Sequence, residues 1–250
     1  MPDGEGGYER NMRVDVIATL EDAEAGRFAG RTAIVIDALR ATSTIVTALA
    51  NGADEVVPAL TADEAAALRR PGDILGGERD GRAVPGFDCG NSPSDYAPEI
   101  VSGRRIVLTT TNGTRAIRLA ANADGLLAGS FLNALACARS ALAGGRDIVI
   151  LCAGSRGQFA LEDGLCAGAI ADRMRQLTSG KLELDDFGSA MLALYRERSH
   201  TLTDALRRSS GGRKLAQLGM EADVEACARV DICRTVPWRT ESGALAGGRG

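Results

Sequence analysis

Lysine is nearly missing from these 250 residues, with Lys181 and Lys214 the only two. Aromatic residues make up 4% and histidine occurs once, at His200. Each shortage excludes something. No Gly-x-x-x-x-Gly-Lys-Ser/Thr exists, so there is no nucleotide P-loop, and no Gly-x-Gly-x-x-Gly follows a strand-like run to mark a dinucleotide site. A single histidine in a polar, helix-like context argues against a Ser-His-Asp triad. The six cysteines (89, 137, 152, 166, 227 and 233) contain no Cys-x-x-Cys pair and mostly sit among small or apolar neighbours. Free thiols and a reducing compartment are therefore expected. Positive charge is not in excess: the formal net charge is -4, which weighs against a nucleic-acid partner. Neither a signal-peptide pattern nor a membrane-length apolar run is seen, so a cytoplasmic protein without membrane contact is expected.

What is present is ordinary globular material, 45% hydrophobic and 25% charged, with 31 glycines to serve tight turns. With aromatics scarce, Ala, Val, Ile and Leu must build the core. Strand-like apolar runs at 13–18, 32–37, 54–59, 73–75, 105–109, 124–128 and 147–152 alternate with helix-like segments through residue 177. That alternation predicts an α/β fold, a mostly parallel sheet flanked by helices in three layers. Residues 183–229 read as a helical C-terminal section, and 230–236 as a final edge strand. One domain with a core over 12–237 is expected, with loose Gly-rich tails at 1–11 and 241–250. Thr61 with Glu64, and Ser92 with Pro93 and Asp95, look like helix caps.

Four turns share one design: an apolar strand, then small and polar residues, then a helix. They cover 37–44, 76–92, 109–114 and 152–157. In parallel sheets such turns form the ligand-binding rim, and helix N-termini there offer N–H groups to anions. Arg40, Arg79 and Arg156 are suited to clamping oxyanions. Asp37, Glu78, Asp88, Glu162 and Asp163 could hold a hard divalent cation through oxygen. Glu162 and Asp163 also suit a helix's first turn without any function. Asp37 lacks a second Asp two residues on, unlike haloacid-dehalogenase phosphatases, and Cys152 lacks the Arg that a thiol-phosphatase loop needs six residues on.

Five blocks, in order, resemble the 2-phosphosulfolactate phosphatases: Val-Ile-Asp-Ala-Leu-Arg-Ala-Thr-Ser-Thr at 35–44, Gly-Gly-Glu-Arg at 76–79, Gly-Phe-Asp-Cys-Gly-Asn-Ser-Pro at 86–93, Thr-Thr-Thr-Asn-Gly-Thr at 109–114, and Cys-Ala-Gly at 152–154 with Leu-Glu-Asp at 161–163. The resemblance implies a Mg2+-dependent phosphomonoesterase that converts (R)-2-phospho-3-sulfolactate to 3-sulfolactate and phosphate, a step that serves coenzyme M synthesis in methanogens. On our reading Asp37, Glu78 and Asp88 share the metal and the attacking water, with Arg40 also catalytic. Arg40, Arg79 and Arg156 hold anionic groups, and Ser43, Thr44, Asn91, Asn112, Gly113 and Thr114 complete the substrate site. The reading requires positions 37, 40, 79 and 88 to converge. A phosphatase for another small phosphorylated acid, and a non-hydrolytic binder of phosphate or sulfonate, stand as alternatives. A homodimer is left open.

Overall fold

The computed structural model describes residues 12–249, so the tail expected at 1–11 lies outside the described residues. In chain order the strands and α-helices are β1 (Met12–Ile17), β2 (Thr32–Ile36), α1 (Ala41–Ala50), β3 (Glu55–Ala59), α2 (Ala62–Leu68), β4 (Ile74–Arg79), β5 (Arg82–Ala83), α3 (Pro98–Val101), β6 (Arg105–Thr109), α4 (Gly113–Leu119), β7 (Gly125–Gly129), α5 (Ala134–Ala143), β8 (Ile148–Cys152) and α6 (Leu161–Leu177). A short strand, β9 (Leu182–Leu184), then opens the helical section: α7 (Asp186–Arg198), α8 (Leu202–Arg208), α9 (Ser210–Gln217) and α10 (Glu221–Cys227). A hairpin of β10 (Thr235–Arg239) and β11 (Leu245–Arg249) follows.

The eleven strands of the described residues join one sheet in the order β5-β4-β6-β3-β11-β10-β7-β2-β8-β1-β9. β2 lies parallel between β7 and β8, and is buried along its whole length. Its side chains alternate: Ile34 and Ile36 enter one core, Ala33 and Val35 the other. This two-faced burial explains why the strand reads as a continuous apolar run. On the first face, α5, α6 and the C-terminal helices cover β1, β2 and β8. On the second, Ile45 and Leu49 of α1 and Ile117 of α4 pack with Val35 and Val149, and in the same cluster with Val56, Ile74 and Ile106. A third, small cluster lies under α2.

Two expectations fail at the C-terminal end. Residues 245–249 are not a loose tail, and β10 is not an edge strand. The hairpin occupies the middle of the sheet, where β11 runs antiparallel to β3 and β10 antiparallel to β7. Val236 and Leu245 are buried, which ties both strands to the core. The Gly-rich stretch that reads as a tail is paired as a strand, with Gly247 opposite Pro237 and Gly248 opposite Val236. The turn expected at 76–92 also begins as strand, since β4 runs on through Arg79 before turning.

The hairpin joins two parallel sets of strands, and the sheet curls. On a flat sheet the six steps from β2 to β4 would span about 29 Å at ~4.8 Å each. Yet α4 touches both β2 and β3, and one hydrophobic cluster draws on both sets. α1 and α4 therefore fill the hollow of the curl, and the C-terminal ends of distant strands meet.

Candidate active site

Those strand ends surround a pocket lined by Asp37, Arg40, Glu78, Asn91, Asn112, Arg156, Glu162, Asp163 and Lys214, among others. Asp37 follows β2 directly. Its backbone is held by Thr42, whose hydroxyl accepts from Asp37 N and donates to Asp37 O at 3.1 and 3.0 Å. The hydroxyls at 42–44 thus brace the turn from within, and the helix N-cap is Arg40 without a side-chain cap bond. Ala41 N donates to Asp37 Oδ1 at 3.3 Å. Gly113 is required on the other side, because a Cβ there would lie 2.8 Å from Asp37 Oδ2 and 2.5 Å from Ala41 Cβ. The N-termini of α1 and α4 are therefore drawn together over one carboxylate.

Asp163, in the first turn of α6, is buried and ties two loops together. Its oxygens accept from Ala38 N at 2.8 Å and Gly154 N at 3.0 Å. Glu78, at the end of β4, accepts from Thr111 N at 2.7 Å and Gly81 N at 2.5 Å. Glu162 is buried beside Gly211 of α9, where a Cβ would sit 1.9 Å from Glu162 Oε1. Among the described residues its Oε2 has no hydrogen-bond partner, and neither has Asn91 Oδ1, although both atoms are buried.

These carboxylates crowd one another. Asp37 keeps an opening onto the pocket, but the protein around it excludes enough water to push its pKa from 3.8 to about 7, helped by the charges of Glu78 and Glu162. Burial also raises Glu162, and raises Asp163 well above the carboxylate range with the charge of Asp37 adding to it. Such a group of hard oxygens favours either a proton or a cation. Among the described residues no three Asp, Glu, His or Cys side chains form a metal cage by themselves. Mg2+ commonly needs only one or two carboxylates, with water and substrate phosphate completing its shell. The unpartnered oxygens of Glu162 and Asn91 are the donors it prefers.

Positive charge comes from three segments. Arg40 is 4% exposed and is held by Asp223 and by the carbonyl of Gly81. Arg156 is exposed and pairs with Asp80 at 3.3 Å, linking the β8–α6 loop to the β4–β5 turn at the pocket mouth. Lys214 projects from α9.

The other expected site residues are engaged elsewhere. Asp88 pairs with Arg69 at 3.0 Å and accepts from Leu75 N at 2.8 Å, so it lies outside the pocket. Arg79 donates to its own-strand carbonyl at Glu78, to Leu60 O and to Thr109 Oγ1, and pins the β4 end rather than a ligand. The expected meeting of 37, 40, 79 and 88 therefore holds only for the first two. The metal set of Asp37, Glu78 and Asp88 loses its third member. Ser43 donates to Ala38 O, Thr44 to Asn91 O and Thr114 to Thr110 O; all three are buried and structural in their contacts. Ser92 does cap its turn through Ser94 N, but Asp95 accepts from Gly90 N and completes no box. His200 sits outside the pocket.

Sequence reasoning missed Lys214, Gly211 and Asp223, all from the helical section. One signal was available: Lys214 is one of only two lysines in a chain rich in arginine.

The family model described as 2-phosphosulpholactate phosphatase matches residues 17–242. A "probable 2-phosphosulfolactate phosphatase" of Symbiobacterium thermophilum is 47% identical over 221 residues, covering 87% of this chain and 94% of the relative. Like-named proteins of Thermotoga petrophila and Clostridium acetobutylicum are 44% and 38% identical, over 83% and 94% of this chain and 88% and 100% of their own lengths.

Proposed function

The chain belongs to the 2-phosphosulfolactate phosphatase family, and on that premise we propose that it hydrolyses (R)-2-phospho-3-sulfolactate to 3-sulfolactate and phosphate with Mg2+. The observation that carries this reading is the meeting of Asp37, Glu78 and Glu162 with Arg40 and Lys214 in one pocket. A site that only gripped an anion would gain nothing from carboxylates, because like charges repel. Acids beside bases suit a site that holds a cation and a phosphoryl group together.

Asp37, Glu162 and the Asn91 side-chain carbonyl would hold Mg2+. When bound, the ion would draw charge from the phosphoryl oxygens and acidify a water. The Asp37 carboxylate also lies where it would accept the proton of the attacking water. Arg40 grips phosphoryl oxygens as charge shifts onto them and the leaving alkoxide. Asp163 keeps the β2–α1 and β8–α6 loops in register, so that Asp37 and the backbone N–H groups near Gly154 face one centre. Lys214 and Arg156, nearer the mouth, receive the carboxylate and sulfonate of the substrate. Asn112 orients it.

All six cysteines are free thiols, five of them buried, and no helix of the described residues is long and apolar enough to cross a membrane. Free thiols suit a reducing compartment, in keeping with a cytoplasmic enzyme.

Phosphate release from 2-phosphosulfolactate, with Mg2+ and with EDTA, tests the proposal. Turnover only with the cation is expected. Faster turnover of another phosphorylated acid in a parallel panel would replace the substrate. Tight binding of the ester without phosphate release would replace the reaction.

A further inference from the structure

We infer that Asp223, in α10, is the positioning residue for Arg40, and that Ser92 locks Asp223 in place. The inference rests on the phosphatase reading of the pocket and assigns a role to the helical section.

The guanidinium of Arg40 is buried, with 3% of its side chain exposed, and Asp223 is nearly as enclosed at 9%. Arg40 Nη1 donates to Asp223 Oδ2 at 2.6 Å and approaches Met220 Sδ at 3.1 Å. Arg40 Nη2 donates to Gly81 O at 3.0 Å. Nε–H and one hydrogen of Nη2 are left without a protein partner among the described residues. Nε–H stands on the side edge of the planar group, one of the edges by which a guanidinium takes an oxyanion. Asp223 and Gly81 thus hold the group through Nη1 and Nη2, where Arg40 lines both the site pocket and a neighbouring cleft beside Asp223.

Asp223 is itself fixed. Its second oxygen, Oδ1, accepts from Ser92 Oγ at 2.5 Å. Ser92 also accepts from Ser94 N, so the capping turn at 93–95 is the anchor of the chain Ser92–Asp223–Arg40. The buried pair satisfies a charge that would otherwise stand desolvated, and its geometry is fixed from both ends. Asp223 touches no reacting atom; it acts through the orientation of Arg40.

The test compares wild type with Asp223→Asn, Asp223→Glu, Ser92→Ala and Arg40→Ala. Asp223→Asn keeps the shape and removes the charge. We expect kcat to fall 10- to 100-fold with KM changed less than threefold. Asp223→Glu should recover part of the loss, and Ser92→Ala should lose about threefold. The decisive measurement is rescue of Arg40→Ala by added guanidinium. Rescue should occur with Asp223 present and vanish in the Arg40→Ala, Asp223→Asn double variant. Near-wild-type kcat in Asp223→Asn, or equal rescue in both backgrounds, overturns the inference. A fall in activity matched by loss of the native circular dichroism and melting transition also overturns it, as the role is then only structural. Binding of inorganic phosphate to each folded variant, by calorimetry, separates the two readings. Wild-type binding without turnover rejects the phosphatase, while the ratio of variant to wild-type affinity still reports on Asp223.

Discussion

Asp37→Asn should abolish turnover and, in metal-free protein, make the fold more stable above neutral pH. Asp37 titrates at about 7 in the folded chain against 3.8 ordinarily, because burial and the charges of Glu78 and Glu162 oppose its ionisation. A carboxylate raised in this way favours the folded state while protonated. That advantage is lost as pH rises from about 4 through about 7, and above 7 the folded state carries the full cost of the charge. The gap between the two values converts to about 4 kcal/mol at ~1.36 kcal/mol per tenfold change. Relaxation around a group that opens onto a pocket reduces this to roughly 1–2 kcal/mol. Asparagine keeps the shape and can still accept from Ala41 N. In EDTA at pH 8 its melting temperature should exceed wild type by roughly 2–8 °C. The difference should shrink as pH is lowered toward 4. Activity should fall by about 10²–10⁴ through lost proton handling alone. Thermal scans at several pH values, with phosphate release at saturating Mg2+, make the measurement. An unchanged or lower melting temperature at pH 8 would refute the picture of crowded carboxylates; near-normal turnover would remove Asp37 from the chemistry.

Three further outcomes are expected. Asp88→Ala should keep kcat within about threefold of wild type while costing about 1 kcal/mol in urea unfolding, since its contacts are Arg69 and Leu75 N. Gly211→Ala must push Glu162 aside, so it should lower activity at least tenfold and weaken Mg2+ dependence measured by titration of the metal. Raising pH from 6 to 8 should tighten apparent Mg2+ affinity, because the ion competes with the proton on Asp37; calorimetry in buffers of different ionisation heat should detect proton release near pH 6.5.

The local pattern of this chain determined a good deal. β-branched runs bounded by Gly and polar residues mark β2, β6 and β8 at nearly their observed positions, since a strand buried on both faces has little compositional freedom. The section read as helical at 183–229 does hold α7 to α10. Asp37, Arg40, Glu78, Asn91, Asn112 and Arg156 were legible because each sits in a polar turn at a strand's end, and all line the pocket. Asp88 and Arg79 occupy similar turns, yet a neighbouring arginine and backbone carbonyls capture them, and no spacing rule reveals such a partner. Residues 245–249 look like a tail, because nothing local announces that a hairpin will be taken into the centre of a sheet. That insertion helps curl the sheet until the ends of β2, β8, β4 and β6 meet. Sequence fixes which groups stand at strand ends; only long-range strand pairing and the packing of α9 and α10 bring Lys214 and Asp223 to them, because contacts between distant segments are set by the shape of the closed core rather than by neighbours along the chain.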